Sequence, residues 1–192
     1  MFEIFQKYIS DQITLSAEEY ELIKSVCIFK KLRKRQYLLQ DGDVWKYNAF
    51  VCKGCLRNYR VDENGGEHIM GFSKECWWTG DRESLLTGKP SANNIDALED
   101  SEVILITKPS FEMLCEQIPA FNDLVNNILN KSFIASQNRI HSAISFTAEQ
   151  KYRNFMEKYP DLTYRVPQHM IASFLGITPE TLSRVRKEVA KK

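Results

Sequence analysis

The sequence predicts an α+β protein: an N-terminal antiparallel β-barrel or jelly roll, one long helix, and a compact helical domain at the C-terminus. Three observations carry this. Short, aromatic, roughly alternating runs broken by glycine fill most of the first 118 residues. After Pro119 an apolar pattern at steps of three and four begins, and neither Pro nor Gly interrupts the chain until Pro160. Residues 166–187 hold the turn, cap and proline signals of two short helices in tandem. The expected division is 1–118, 119–146 and 147–192.

In order, the opening segment to about Val26 is helical in pattern, with Ser16-Ala17-Glu18-Glu19 as a helix start bearing acids in its first turn. Tyr47–Cys52 and Cys55–Val61 read as strands, and Asp62-Glu63-Asn64-Gly65-Gly66 between two such runs is a hairpin signal. Ser101–Ile106 is a last strand before Lys108-Pro109. Several short strands at close spacing argue for a small sandwich or barrel. In the long helix Phe121, Leu124, Val125, Ile128, Leu129, Phe133, Ile134, Ile140, Ala143 and Ile144 share the helical period. A helix of about 25 residues spans about 37 Å, more than a small domain's core requires, and such a helix often packs on a symmetry mate. Phe146-Thr147-Ala148-Glu149 permits a break and a new cap, and 161–167 is a short, polar, β-capable connection.

Composition narrows the function classes. The 192 residues are 43% hydrophobic and 27% charged, which is ordinary globular usage. No run approaches the roughly 18 apolar residues of a membrane helix, and the first residues lack a signal peptide's pattern, so the expectation is a soluble cytoplasmic protein with no membrane contact. The net charge is +1, but residues 148–192 hold nine basic against five acidic side chains, and the rest 17 against 20. A polyanion would meet the C-terminal end. Five scattered cysteines suit reduced thiols rather than disulfides. Phosphate loop, nucleophile elbow and paired catalytic acids are all missing, so no enzyme is expected.

The segment from Val166 to Lys187 has helix-turn-helix grammar. Ile171, Phe174 and Leu175 form the inner face of a first helix, and Gly176 sits at the turn. Thr178 is an N-cap, Pro179 fits N1, and Glu180 lies in the first turn. Leu182 and Val185 then face inward, leaving Pro179, Glu180, Ser183, Arg184 and Lys187 outward, with Thr181 beside the cap. A helix fits the major groove of double-stranded DNA, where Glu180 can accept from cytosine and Arg184 can fork onto guanine. Thr178, Gln168, Arg186 and Lys187 suit phosphates.

On these residues the chain resembles the Crp/Fnr family of bacterial transcription regulators. That family joins a cyclic-nucleotide-binding-type barrel to a long dimerisation helix and a winged helix-turn-helix. The looser barrel match lies in Gln40-Asp41-Gly42-Asp43, Lys53–Arg57, and Gly80-Asp81 through Val103. The resemblance implies a homodimer on two-fold-related half-sites about one helical turn (~34 Å) apart. It also implies a small-molecule effector, here unidentified, and contact with the transcription machinery. The implied effector pocket is Gly80, Asp81, Ser91, Ala92 and Asn93. In cAMP-binding members a Gly-Glu pair is followed by Arg-Ser-Ala, and the Arg meets the cyclic phosphate. Here Asp81 replaces the Glu and Ser91 the Arg, so no cAMP binding is expected. The recognition helix also departs, with Pro179 where many members place an Arg.

Other readings are a ligand-binding or protein-interaction module without DNA, and a thiol or metal redox sensor through Cys52 and Cys55. The three histidines lack ligand spacing, so neither a metal nor a cofactor is expected. Trp77-Trp78 suits barrel core better than a pocket wall, and the basic run from Lys30 to Arg35 suits a solvated strand edge.

Overall fold

The computed structural model describes residues 1–189. Two helices open the chain, α1 (Phe2–Ser10) and α2 (Ala17–Ser25). Ser16 Oγ accepts from the Glu19 N–H while Glu19 Oε2 accepts from the Ser16 N–H at 2.7 Å, a reciprocal cap that starts α2 where its acids were read.

Six strands follow: β1 (Ile28–Leu32), β2 (Tyr37–Leu39), β3 (Tyr47–Lys53), β4 (Leu56–Val61), β5 (Glu67–Ser73) and β6 (Trp78–Thr79). Helix α3 (Arg82–Thr87) then precedes β7 (Asn94–Ala97) and β8 (Ser101–Thr107). They form two four-stranded sheets of jelly-roll type, ordered β1-β8-β3-β6 and β2-β7-β4-β5, rather than a closed barrel. At the β4–β5 turn Asp62 Oδ1 accepts from the N–H groups of Asn64 and Gly66 at 2.8 and 2.9 Å. Lys30 and Lys31 of the basic run lie in edge strand β1, with Arg33, Lys34 and Arg35 in the turn after it, and Lys31 is tied to Glu102 of the neighbouring strand at 3.5 Å.

Strand alternation divides the core in two. Ala49, Val51, Leu56, Ile95, Ala97, Val103 and Leu105 form one buried cluster. Their neighbours Phe50, Cys52, Ile104 and Ile106 point the other way and pack with Phe5, Ile9 and Ile23 of the opening helices. The same cluster takes Leu114 of α4 (Lys108–Gln117) and Phe121 and Leu124 from the start of α5 (Pro119–Ser145). Trp78 belongs to this core, its ring 5.4 Å from Phe50 and 5.7 Å from Phe5. Helix α4 starts because Thr107 Oγ1 caps the Ser110 N–H and Pro109 fits the first turn, and Phe111, Leu114, Cys115 and Ile118 stand at helical spacing toward the core.

Helix α5 runs 27 residues, and a second reciprocal cap, Thr147 with Gln150, starts α6 (Ala148–Lys158). The β-capable connection is corrected by the structure: it holds a short helix, α7 (Leu162–Arg165), and among the described residues no wing strand flanks the helices that follow. Leu162 and Val166 are both buried, and the turn is helical because the Val166 N–H bonds Leu162 O at 3.0 Å and the Arg165 N–H bonds Asp161 O at 3.3 Å. Helices α8 (Gln168–Leu175) and α9 (Pro179–Val189) complete the chain. Tyr152 and Phe155 of α6, Ile171 and Ala172 of α8, and Leu182 and Val185 of α9 are buried together with them. The chain forms two compact units, residues 1–60 with 71–129, and residues 61–70 with those from 130 onward.

Candidate functional site

The turn between α8 and α9 is built by Gly176, at φ 64°, where the chain reverses in a left-handed conformation. The Ile177 N–H bonds Ala172 O at 3.1 Å and the Gly176 N–H bonds Ser173 O at 3.0 Å, closing the last turn of α8. Two residues on, Thr178 Oγ1 accepts from the Thr181 N–H at 3.2 Å and caps α9, with Pro179 at its first position. The Thr181 hydroxyl is bonded to Thr178 and belongs to the cap.

Leu182 and Val185 turn inward, and the opposite face of α9 is open. Pro179, Glu180, Ser183, Arg184 and Lys187 line one shallow cleft of about 530 Å³ on that face. Its own backbone N–H, then the Thr178 hydroxyl, holds the Glu180 carboxyl below the usual range, so an anion and two cations stand along one helix side. Arg186 is exposed but does not line the cleft. Gln168 is half-buried and its amide nitrogen donates to Thr163 O at 3.3 Å, so it is turned toward its own unit.

The second candidate site lies in the sheet unit. Asp81 is the N-cap of α3, and its buried carboxylate accepts from the N–H groups of Glu83 and Ser84 at 2.9 and 3.2 Å. Ser91 Oγ donates to the same carboxylate at 2.6 Å and Asn93 Nδ2 at 2.8 Å. Burial alone pushes this carboxyl up, but Ser91, the Ser84 amide, Asn93 and the Glu83 amide outweigh it, and the net shift is downward. Ala92 is exposed between Ser91 and Asn93. Gly80 backs against Trp45: a Cβ at this position would stand 2.5 Å from the indole nitrogen, so Gly80→Ala should cost about 1–3 kcal/mol in urea unfolding.

The comparisons with known proteins agree with this layout. Residues 29–118 match the family model of the cyclic nucleotide-binding domain. The chain is 25% identical to the regulatory protein HlyX of Actinobacillus pleuropneumoniae, over 90% of its own length and 76% of the relative's. It is also 25% identical to the fumarate and nitrate reduction regulatory protein of Yersinia pestis, over 90% and 73%. A match of equal identity to the transcriptional regulatory protein Btr of Bordetella pertussis spans 58% of that protein, less than two thirds of its length. Among solved structures, FixK2 of Bradyrhizobium japonicum superposes with a TM-score of 0.73 at 17% identity, covering 86% of this chain and 85% of that one. In sequence and in fold the chain is similar to regulators of the Crp/Fnr type.

Several residues matter that sequence reasoning passed over. Arg57 and Asp96 form a buried two-pronged ion pair, Nε to Oδ1 at 2.8 Å and Nη2 to Oδ2 at 3.0 Å, with the guanidinium 4.0 Å over the Tyr59 ring. Adjacent strands bring the pair together from 39 residues apart, and no local pattern announces it.

In the other unit, Ser173 of α8 grips the hairpin that contains Asp62. Its hydroxyl accepts from the Ile69 N–H at 3.0 Å and donates to Glu67 O at 3.1 Å. Arg139 of α5 donates to Ile69 O at 3.2 Å and to Met70 O, and lies 4.5 Å over the Phe174 ring. Ser173→Ala should free the Ile69 amide, so its hydrogen exchange rises and stability falls by about 1–2 kcal/mol.

Both cysteines of the pair, Cys52 and Cys55, are buried. Cys52 lies in the helix-covered core, and burial pushes its thiol up to about 12, leaving little thiolate at neutral pH. Among the described residues no group of three or more His, Cys, Asp or Glu could hold a metal ion.

Proposed function

We propose that this Crp/Fnr-type chain is a sequence-specific DNA-binding transcription regulator, with α9 as its recognition helix. The observation that carries the reading is the face of α9: five outward residues line one cleft, beginning at a capped N-terminus and offering Glu180, Arg184 and Lys187 to base edges and phosphates. Thr178, Pro179, Thr181 and Ser183 set the approach, Arg186 meets backbone phosphate, and Gln168 contributes through the position of α8.

The working form is a homodimer. Phe133, Ile134, Ile140 and Ile144 of α5 are 65%, 58%, 54% and 79% exposed in one chain, a density of apolar surface that suits a second copy of the helix. Residues 1–118 act as the sensing domain, 119–146 as the dimerisation helix and 147–192 as the DNA-binding domain. An effector acts by binding the two dimer states with different affinity, and the transcription machinery is the downstream partner. We assign no enzymatic activity and a cytoplasmic location; among the described residues no helix is long and apolar enough to cross a membrane.

Selection from a random DNA pool, followed by mobility-shift titration in increasing salt, tests this. The expected result is a two-fold-symmetric site whose affinity falls steeply with salt through counterion release. A salt-insensitive complex, or no enriched sequence, overturns it. Ile140→Glu should yield monomers in sedimentation and lose the symmetric site.

A further inference from the structure

Residue 91 brings no cation to the barrel pocket, yet the structure supplies one from another strand. Arg60, at the end of β4, donates from Nε to Asn93 Oδ1 at 2.9 Å, and Asn93 passes its own Nδ2 to Asp81 at 2.8 Å. The Asp81 carboxylate already accepts four hydrogen bonds, so it is a satisfied anion beneath Asn93 rather than a partner for Arg60. Among the described residues Nη1 and Nη2 of Arg60 have no hydrogen-bond partner, and the side chain is exposed.

Strand alternation places a second polar group beside it. Leu56 pairs with Ala97 and Asn58 with Ile95, and Leu56, Ala97 and Ile95 all belong to the cluster between the sheets. Asn58 and Arg60 therefore continue that inner face outward, about 7 Å apart along the strand. Asn58 Oδ1 is buried and has no hydrogen-bond partner. A buried acceptor left unpaired is costly unless something else satisfies it.

We propose that the inner face formed by Asn58, Arg60 and Asn93 binds a small organic monoanion: a carboxylate with a nearby O–H or N–H donor. The carboxylate takes the two terminal nitrogens of Arg60 side-on, and the donor satisfies Asn58 Oδ1. A single cation backed by a buried carboxylate suits a single negative charge. A cyclic nucleotide is disfavoured because Ser91, at the phosphate-binding position, is committed to Asp81. The inference rests on reading residues 1–118 as the sensing domain, and it needs no DNA to be tested.

The test is titration of the full chain with lactate, malate, salicylate, propionate and cAMP, followed by tryptophan fluorescence. Trp45, packed on Gly80, is the reporter in the wall. The expected result is saturable millimolar or tighter binding of at least one hydroxycarboxylate, weaker binding of propionate, and none of cAMP. Arg60→Gln should weaken the bound hydroxycarboxylate about tenfold or more. Asn58→Leu should erase the advantage of lactate over propionate. Both variants should melt cooperatively as folded proteins, and their ligand-free mobility shift should match the parent, which separates this proposal from a failure of folding or of the DNA reading. No saturable carboxylate, affinity unchanged in Arg60→Gln, or cAMP outcompeting the carboxylates would each overturn it.

Discussion

Arg184→Ala is expected to weaken binding to the selected operator by about 1–3 kcal/mol and to relax one base position, because a side chain aimed at a base edge carries sequence information. Arg184 is exposed in the α9 cleft, two positions clear of buried Leu182 and one before buried Val185, so truncation leaves the packing of the helix intact. Lys187, at the far end of the same cleft, should behave differently. Lys187→Ala should weaken all sequences alike and reduce the salt slope by about one, the signature of a lost phosphate contact. Glu180→Gln offers a third comparison: the neutral amide keeps the length but loses the ionised acceptor, whose carboxyl its own backbone N–H and then the Thr178 hydroxyl hold low. Mobility shifts on the selected site and on single-base variants decide among these. Unchanged specificity in Arg184→Ala would remove α9 from the groove.

The largest stability effect is expected at Asp81. Its carboxylate caps α3 and collects Ser91 and Asn93, so Asp81→Ala removes a cap worth about 1–2 kcal/mol and leaves two buried donors each costing about 1–3 kcal/mol. A total loss of about 3 kcal/mol or more is a large share of a domain's stability. Asp81→Asn should cost less, since an amide oxygen still accepts from the helix N-terminus. The pH dependence separates charge from geometry. Because the folded-state carboxyl is held below its unfolded value, Asp81 contributes stability that is fully present above the unfolded value near pH 4, and lost as pH falls through the folded one. Urea midpoints should therefore fall on acidification below about pH 5 in the parent, and fall less in Asp81→Asn. Equal acid sensitivity in both proteins would mean that the carboxylate is not the group responsible.

Asp81 also shows why the pocket was only half legible. Alignment with the family's motif placed Gly80, Asp81 and Ser91 in the right neighbourhood and pointed to the lost arginine. It did not show that Ser91 would be spent on Asp81, or that a cation would enter from β4 at residue 60. The Arg60–Asn93 bond joins residues 33 positions apart beside the β4–β7 pairing, and the Ser91–Asp81 bond, 10 positions apart, closes the loop that carries α3. The clasp of Ser173 on Glu67 and Ile69 spans more than a hundred residues and has no sequence signal. At 161–167 local preference gave the wrong element: the backbone closes a helical turn, with the N–H groups of Arg165 and Val166 bonded to Asp161 O and Leu162 O, and the buried spacing of Leu162 and Val166 suits a strand as well as a helix.

By itself, the sequence determined the elements whose stabilising groups lie within a few residues of one another. These are the reciprocally capped starts at Ser16 and Thr147, the Asp62 hairpin, the run of α5, and the Gly176-to-Pro179 turn that aims the outer face of α9. Capping, turn geometry and helical period are short-range interactions, and each is written in adjacent letters. Tertiary structure alone decided which polar groups neutralise one another: Arg57 with Asp96, Asp81 with Ser91 and Asn93, Arg60 with Asn93, and Ser173 with the hairpin edge. Burial removes water from these groups and makes a distant partner necessary, and only the folded chain specifies which one it is.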